Sequence, residues 1–163
     1  MYTTGLPGLD GMLQDILPGD NLVWDVKDVE EYVRFVEPFS RAARENGKRI
    51  VYFRFAEHRA LLSAADGIEV IELDPMIGFE KIVTEMVDVI ESTSADAWYV
   101  FDCLTGLANA WYSDRMMANF FLVICPFVLK LRSLAYFALY KSRHSSHATD
   151  TIYTTAQIII EVY

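Results

Sequence analysis

Asn21-Leu22-Val23-Trp24-Asp25-Val26-Lys27-Asp28-Val29-Glu30-Glu31 is the stretch on which the fold turns. Its first six residues are mostly apolar and β-prone, the composition of a buried strand. Two residues later the period changes. Val29, Tyr32, Val33, Val36, Phe39 and Ala43 recur at helical spacing, while Glu30, Glu31, Arg34, Glu37, Arg41, Arg44 and Glu45 fill the opposite face. The pattern predicts a strand over Asn21–Val26 and a helix from about Asp28 to Glu45, with Asp28 as its N-cap and Asn46-Gly47 as its stop. Pro38 lies inside that helix, where it removes a hydrogen bond and favours a kink.

The alternation continues outward. Further strands are expected at Arg49–Phe55, at Ile68–Leu73 after the Asp66-Gly67 turn, and at Ala97–Phe101, which is apolar throughout and ends at Asp102. Helices are expected from about Gly78 to Ser92 and from Ser113-Asp114 to about Leu131, the second strained by Pro126. A fifth strand at Leu134–Tyr140, a basic loop over Lys141–His147, a short helix at Thr149–Thr155 and a last strand at Gln157–Tyr163 complete the order. Short β-rich runs separated by longer helical ones define an α/β fold, three layers αβα, with a mostly parallel sheet and helices on both faces.

A chain of 163 residues, 53% hydrophobic, supports one domain with a substantial core. Its net charge of −9 argues against a nucleic-acid backbone and against an anionic membrane surface as partner. Cys103 and Cys125 both sit among apolar residues and read as buried, reduced thiols of a cytoplasmic protein. Met1 leads into turn-forming residues rather than a basic stretch and an apolar one, which fits that compartment. The run Phe120–Leu129 is apolar but reaches only half of the roughly 20 residues a membrane span needs, and it contains Pro126; a buried helix is expected. The strand pattern runs on to Tyr163, so residues 1–163 read as one domain and as the N-terminal module of a longer protein.

Thr4-Gly5-Leu6-Pro7-Gly8-Leu9-Asp10, the Leu17-Pro18-Gly19 turn and the strand behind it resemble the opening of KaiC-like members of the RecA ATPase superfamily. Ile50–Glu57 resembles that family's second strand, which ends in catalytic glutamates. Tyr99-Val100-Phe101-Asp102-Cys103-Leu104-Thr105-Gly106-Leu107 resembles its Walker B strand, and Ala148–Ile152 with Ile158–Glu161 a later part of the core. The resemblance implies a RecA-like, P-loop-NTPase-like sheet. The departures bear on activity. A P-loop wraps phosphate in backbone N–H groups freed by glycines and adds a Lys and a helix N-terminus. Here no GxxxxGK[ST] occurs, and the corresponding residues place Asp25, Asp28, Glu30 and Glu31 around the single Lys27. Ala56 stands where one of the paired glutamates is usual, and Cys103 replaces a Ser. Each carboxylate about 5 Å from a phosphate costs on the order of 1–3 kcal/mol at intermediate dielectric. The pattern therefore implies a degenerate Walker A and no ATP or Mg²⁺ cofactor.

Five residues form the candidate ligand or partner site: Lys27, Glu57, Asp102, Lys141 and Arg143. Asp102 ends a buried strand at the carboxyl edge, where α/β sheets place ligands; it either holds Mg²⁺ through water, or caps the loop that follows it or pairs with Lys27. Glu57 beside His58 suits acid–base chemistry or is plain loop. Lys141, Arg143, His144 and His147 form a cationic loop that either binds an anion or a partner's carboxylates or is a solvated loop offsetting an acidic chain. His144 and His147 have metal-compatible spacing only if helical, with no third ligand nearby. Trp111 and Tyr112, if exposed, mark a contact surface. Ser145 and Ser146 adjoin histidines, but neighbours in a loop seldom face each other, so Ser/His/Asp catalysis finds no support. The function expected is non-catalytic: a pseudo-ATPase domain for protein interaction or regulation, through a protein partner or self-association, attached to a phosphotransfer protein of the phosphoenolpyruvate-synthase type. The alternative is an enzyme or ligand binder that uses the same sheet edge on a small anion or an unorthodox nucleotide.

Overall fold

The computed structural model describes residues 1–93 and 96–163. Six strands, β1 (Asn21–Val26), β2 (Arg49–Arg54), β3 (Ile68–Glu72), β4 (Ala97–Cys103), β5 (Ala135–Tyr140) and β6 (Ile158–Glu161), form one sheet in the order β3-β2-β4-β5-β1-β6. Every pairing is parallel. The helices are α1 (Pro7–Leu13), α2 (Val29–Glu45), α3 (Phe79–Thr93), α4 (Thr105–Trp111), α5 (Asp114–Lys130) and α6 (Ser146–Thr155), with a 3-10 turn at Pro75–Ile77.

The order of the strands dictates the layers. From β1 the chain crosses towards β2 and β3; from β3 onward every crossover runs the other way. Right-handed crossovers therefore put α2 on one face and α3, α5 and α6 on the other. The two cores confirm this. Tyr32, Val33, Val36 and Phe39 of α2 pack with Leu22, Trp24, Tyr52 and Tyr136 on the first face. Ile82, Met86, Phe120, Ile124 and Ile152 pack with Phe53, Phe101 and Phe137 on the second. Alternate residues of each strand feed alternate cores, which is why β4 reads as continuously apolar. The rings of Phe39 and Tyr136 stack at 3.8 Å between centroids, and those of Phe101 and Phe137 at 4.3 Å.

The six strands lie within a few residues of where the sequence puts them, and the sheet is parallel throughout rather than mostly so. β4 runs two residues further than expected, so Asp102 and Cys103 lie inside the strand. α1 and α4 were not expected. α1 forms inside the glycine-rich opening because Asp10 folds back: its carboxylate accepts from the Thr4 N–H at 2.8 Å and from the Thr3 and Thr4 hydroxyls. Gly5, at φ 80°, lies so close to α2 that a Cβ there would sit 2.2 Å from the Pro38 carbonyl oxygen. The opening motif is thus a structural knot against α2. The Phe120–Leu129 run lies in α5, where Phe120, Phe121, Ile124, Cys125 and Val128 are buried while Leu122, Val123 and Leu129 reach solvent. Among the described residues no helix is long and apolar enough to cross a membrane.

Candidate functional site

Ligands of open parallel sheets enter at the carboxyl edge, where neighbouring strands send their connections to opposite faces. Two such places fall over the middle of this sheet, one between β2 and β4 and one between β5 and β1.

The β2/β4 crevice is closed. Asp102 is 0% exposed. Its Oδ1 accepts the Tyr52 hydroxyl, and its Oδ2 accepts the N–H groups of Phe55 at 2.8 Å and Ala56 at 2.9 Å. The Tyr52 oxygen in turn accepts the Leu61 N–H at 3.1 Å. His58 completes the cluster. Its Nδ1–H donates to the Arg59 carbonyl at 2.7 Å, and its Nε2 accepts the Cys103 N–H at 3.3 Å while standing 3.5 Å from Asp102 Oδ1. Burial pulls the Asp102 carboxyl above its usual range; the Tyr52 hydroxyl and the two backbone donors oppose that pull without cancelling it. Burial likewise pushes the adjacent Cys103 thiol up to about 12, which leaves it protonated and unreactive at neutral pH. Asp102 thus fastens the chain after β2 to the sheet. The first turn of α4 comes down on that chain because both contacting residues are small: a Cβ on Gly106 would lie 2.5 Å from the Cβ of Ala56.

At the carboxyl end of β1 the helix follows almost at once. The N-terminus of α2 is the natural anion site of such a junction. Two N–H groups of this junction are taken by its own acids: the Glu31 N–H donates to Asp28 Oδ1 at 2.9 Å, and the Lys27 N–H, just ahead of the helix, to Glu31 Oε1 at 3.0 Å. Glu30 is held by Arg59 through Nε at 2.5 Å and Nη2 at 2.9 Å.

The β1/β5 crevice is open, a cleft of about 320 Å³ whose walls include Asp25, Tyr140, His144, Tyr153, Asp150 and Glu161. Burial raises the Asp25 carboxyl, and Lys141 and the Tyr153 hydroxyl pull it back. Behind the wall lies a relay. Thr105 Oγ1 is 2.7 Å from His144 Nε2, and His144 Nδ1 is 2.9 Å from Asp114 Oδ1. Asp114 Oδ2 also accepts the Ser145 N–H at 2.7 Å, and Thr105 Oγ1 accepts the Tyr140 N–H at 3.1 Å. Against the upward pull of desolvation, the hydrogen bonds from His144 and Ser145 hold Asp114 below its usual range. The geometry is that of a hydroxyl–imidazole–carboxylate triad, but Thr105 is 1% exposed and its oxygen already holds a backbone donor. The relay is a brace for the loop after β5, with no substrate access to its hydroxyl. Sequence reasoning missed it because its members are spread from position 105 to position 144; the signal that could have found it is a polar Thr opening a helix directly after a buried strand.

The five candidate residues are not gathered in one place. Lys27 is exposed at the α2 junction. Glu57 lies in a cleft of about 400 Å³ with Asp74, Met76, Asn109 and Tyr112. Asp102 is buried with both oxygens engaged. The Lys141 ammonium sits 4.1 Å over the Tyr163 ring, and the Arg143 guanidinium 5.7 Å over the Tyr140 ring, at a separate cleft of about 640 Å³. His147 lies on α6, away from the relay that holds His144. Tyr112 is exposed and Trp111 only half-buried, its Nε1–H donating to the Pro75 carbonyl at 2.9 Å. Among the described residues no three His, Cys, Asp or Glu side chains come together at metal-ligating spacing.

No family model matches this chain, and no curated protein matches it either.

Proposed function

We propose that this chain is a degenerate KaiC-like domain that acts without catalysis, in protein interaction or regulation. The observation that carries the reading is the acidic, internally hydrogen-bonded junction ahead of α2. Two of the N–H groups at that junction, those of Glu31 and Lys27, already donate to Asp28 and Glu31, and the helix opens on three carboxylates, Asp28, Glu30 and Glu31. An incoming phosphate would have to displace charge-assisted hydrogen bonds, each worth about 1.5–3 kcal/mol, and would then face the displaced carboxylates. The dispersal of Lys27, Glu57, Asp102, Lys141 and Arg143 weighs against the alternative of an anion-binding enzyme, since no two of the three cations share a wall with Asp102. Attachment to a phosphotransfer protein of the phosphoenolpyruvate-synthase type belongs to the same reading and rests on the resemblance alone.

Thermal unfolding with millimolar ATP–Mg²⁺, ADP and inorganic phosphate tests it. A domain of this kind keeps its Tm; a ligand present at about 100 times its Kd would add about 2.7 kcal/mol and raise Tm by several degrees. A shift of that size with either nucleotide overturns the proposal.

A further inference from the structure

We propose that the surface around Tyr112 is a two-fold interface joining two copies of this chain, with Arg143 of each copy set against Glu57 of the other. The inference rests on the interaction reading above and names the partner. Tyr112 ends α4 in the left-handed region, at φ 51°, with its backbone N–H on the Ala108 carbonyl. Its ring is 96% exposed. Tyr112 and Asn109 are the shared wall of two clefts. The cleft on one side contains Arg143; the cleft on the other contains Glu57, Asp74 and Met76, which is 75% exposed. Neither Arg143 nor Glu57 makes an ion pair among the described residues. The basic cleft's own carboxylate, Asp114, is turned inward to His144 and the Ser145 N–H.

A tyrosine ridge with a cation on one flank and carboxylates on the other is complementary to itself. A two-fold axis near Tyr112 exchanges the flanks, so the Arg143–Glu57 pair forms twice, and Tyr112 with Met76 supplies the apolar centre that interfaces favour. A head-to-tail contact would place the two signs on separate parts of the surface; here they flank a single residue.

Sedimentation equilibrium of the full chain over about 1–100 μM tests the interface. The expected result is a monomer–dimer equilibrium. Arg143→Glu and Glu57→Arg should each raise the dimer dissociation constant about tenfold or more. Mixing the two single variants should restore a one-to-one dimer, because both contacts then carry opposite charges; the rescue also shows that both variants are folded. Tyr112→Asn, which keeps a residue tolerant of positive φ but removes the ring, should also weaken the dimer. A monomer throughout the range, a ring or filament mass, or a dimer indifferent to both reversals overturns the inference. A monomer that also ignores ATP–Mg²⁺ overturns this interface alone, whereas a chain that binds ATP–Mg²⁺ overturns the interaction reading with it.

Discussion

Over β2 and β4, a carboxylate, a tyrosine and a histidine close on one another; over β1 and β5, the same three residue types line an opening of about 320 Å³. Asp102, Tyr52 and His58 make the first set, Asp25, Tyr153 and His144 the second. The connecting chain makes the difference. After β2 there is no helix, and the chain folds down so that the N–H groups of Phe55, Ala56 and Leu61 donate into the crevice and seal it. After β5 the loop is pinned outward on Asp114 and Thr105, which leaves the space above Asp25 unfilled. A polar residue at a strand end is therefore a staple or a wall according to where the next backbone donors fall, and its own identity does not decide which.

The sharpest way to break that contrast is Asp102→Ala. It leaves two buried N–H groups and the Tyr52 hydroxyl without their acceptor, and each unsatisfied buried donor costs about 1–3 kcal/mol. We expect a loss of about 3 kcal/mol or more, seen as a fall in Tm of roughly 6–12 °C by circular dichroism. A loss under about 1 kcal/mol would mean that water satisfies these donors and that the two crevices are alike. Tyr52→Phe removes less. It deprives the Leu61 N–H of its acceptor and Asp102 Oδ1 of one donor. A cost of about 2 kcal/mol is expected from urea unfolding at unchanged m-value.

The sheet was legible because its signals are local: apolar β-rich runs, the switch to helical spacing at Val29, the Asp66-Gly67 and Asn46-Gly47 turns. The helices that sequence reasoning missed lack such signals. α4 starts at Thr105 behind Leu104, an N-cap with no side-chain hydrogen bond, and carries Gly106 in its first turn, and α1 contains Pro7, Gly8, Asp10 and Gly11 among its seven residues. The candidate site was legible in part. Asp102 stood out as an Asp ending an apolar strand, but the expected roles were Mg²⁺, a cap on the loop that follows it or a pair with Lys27, whereas its Oδ2 accepts from the chain after β2. The partners that decide its role, Tyr52, His58 and the N–H groups of Phe55 and Ala56, are 44 to 50 positions away, beyond the reach of any local pattern. The same holds for Thr105, Asp114 and His144. Tyr112 is expected to be a contact residue only if exposed, a condition no local pattern in the sequence decides; its ring is 96% exposed.

Tyr153→Phe carries the smallest expected effect and discriminates best, since it makes in the open crevice the deletion that Tyr52→Phe makes in the closed one. Tyr153 is half-buried and lines the open cleft together with Asp25. Stability should change by less than about 0.5 kcal/mol, the range of a surface substitution. The Asp25 carboxyl should still report the loss. Burial raises its pKa and the Tyr153 hydroxyl is one of the groups lowering it, so the variant should titrate higher than the parent. The sign for stability follows. A carboxyl raised in the folded state favours folding at acid pH, and that contribution fades as pH climbs from the unfolded value through the folded one. The deficit of the variant should therefore be absent when Asp25 is protonated and complete at neutral pH. Carboxyl carbon shifts followed by NMR against pH measure the titration directly. An Asp25 that titrates unchanged would show that water already replaces the hydroxyl, and a stability loss as large as that of Tyr52→Phe would show that this crevice is as sealed as the other.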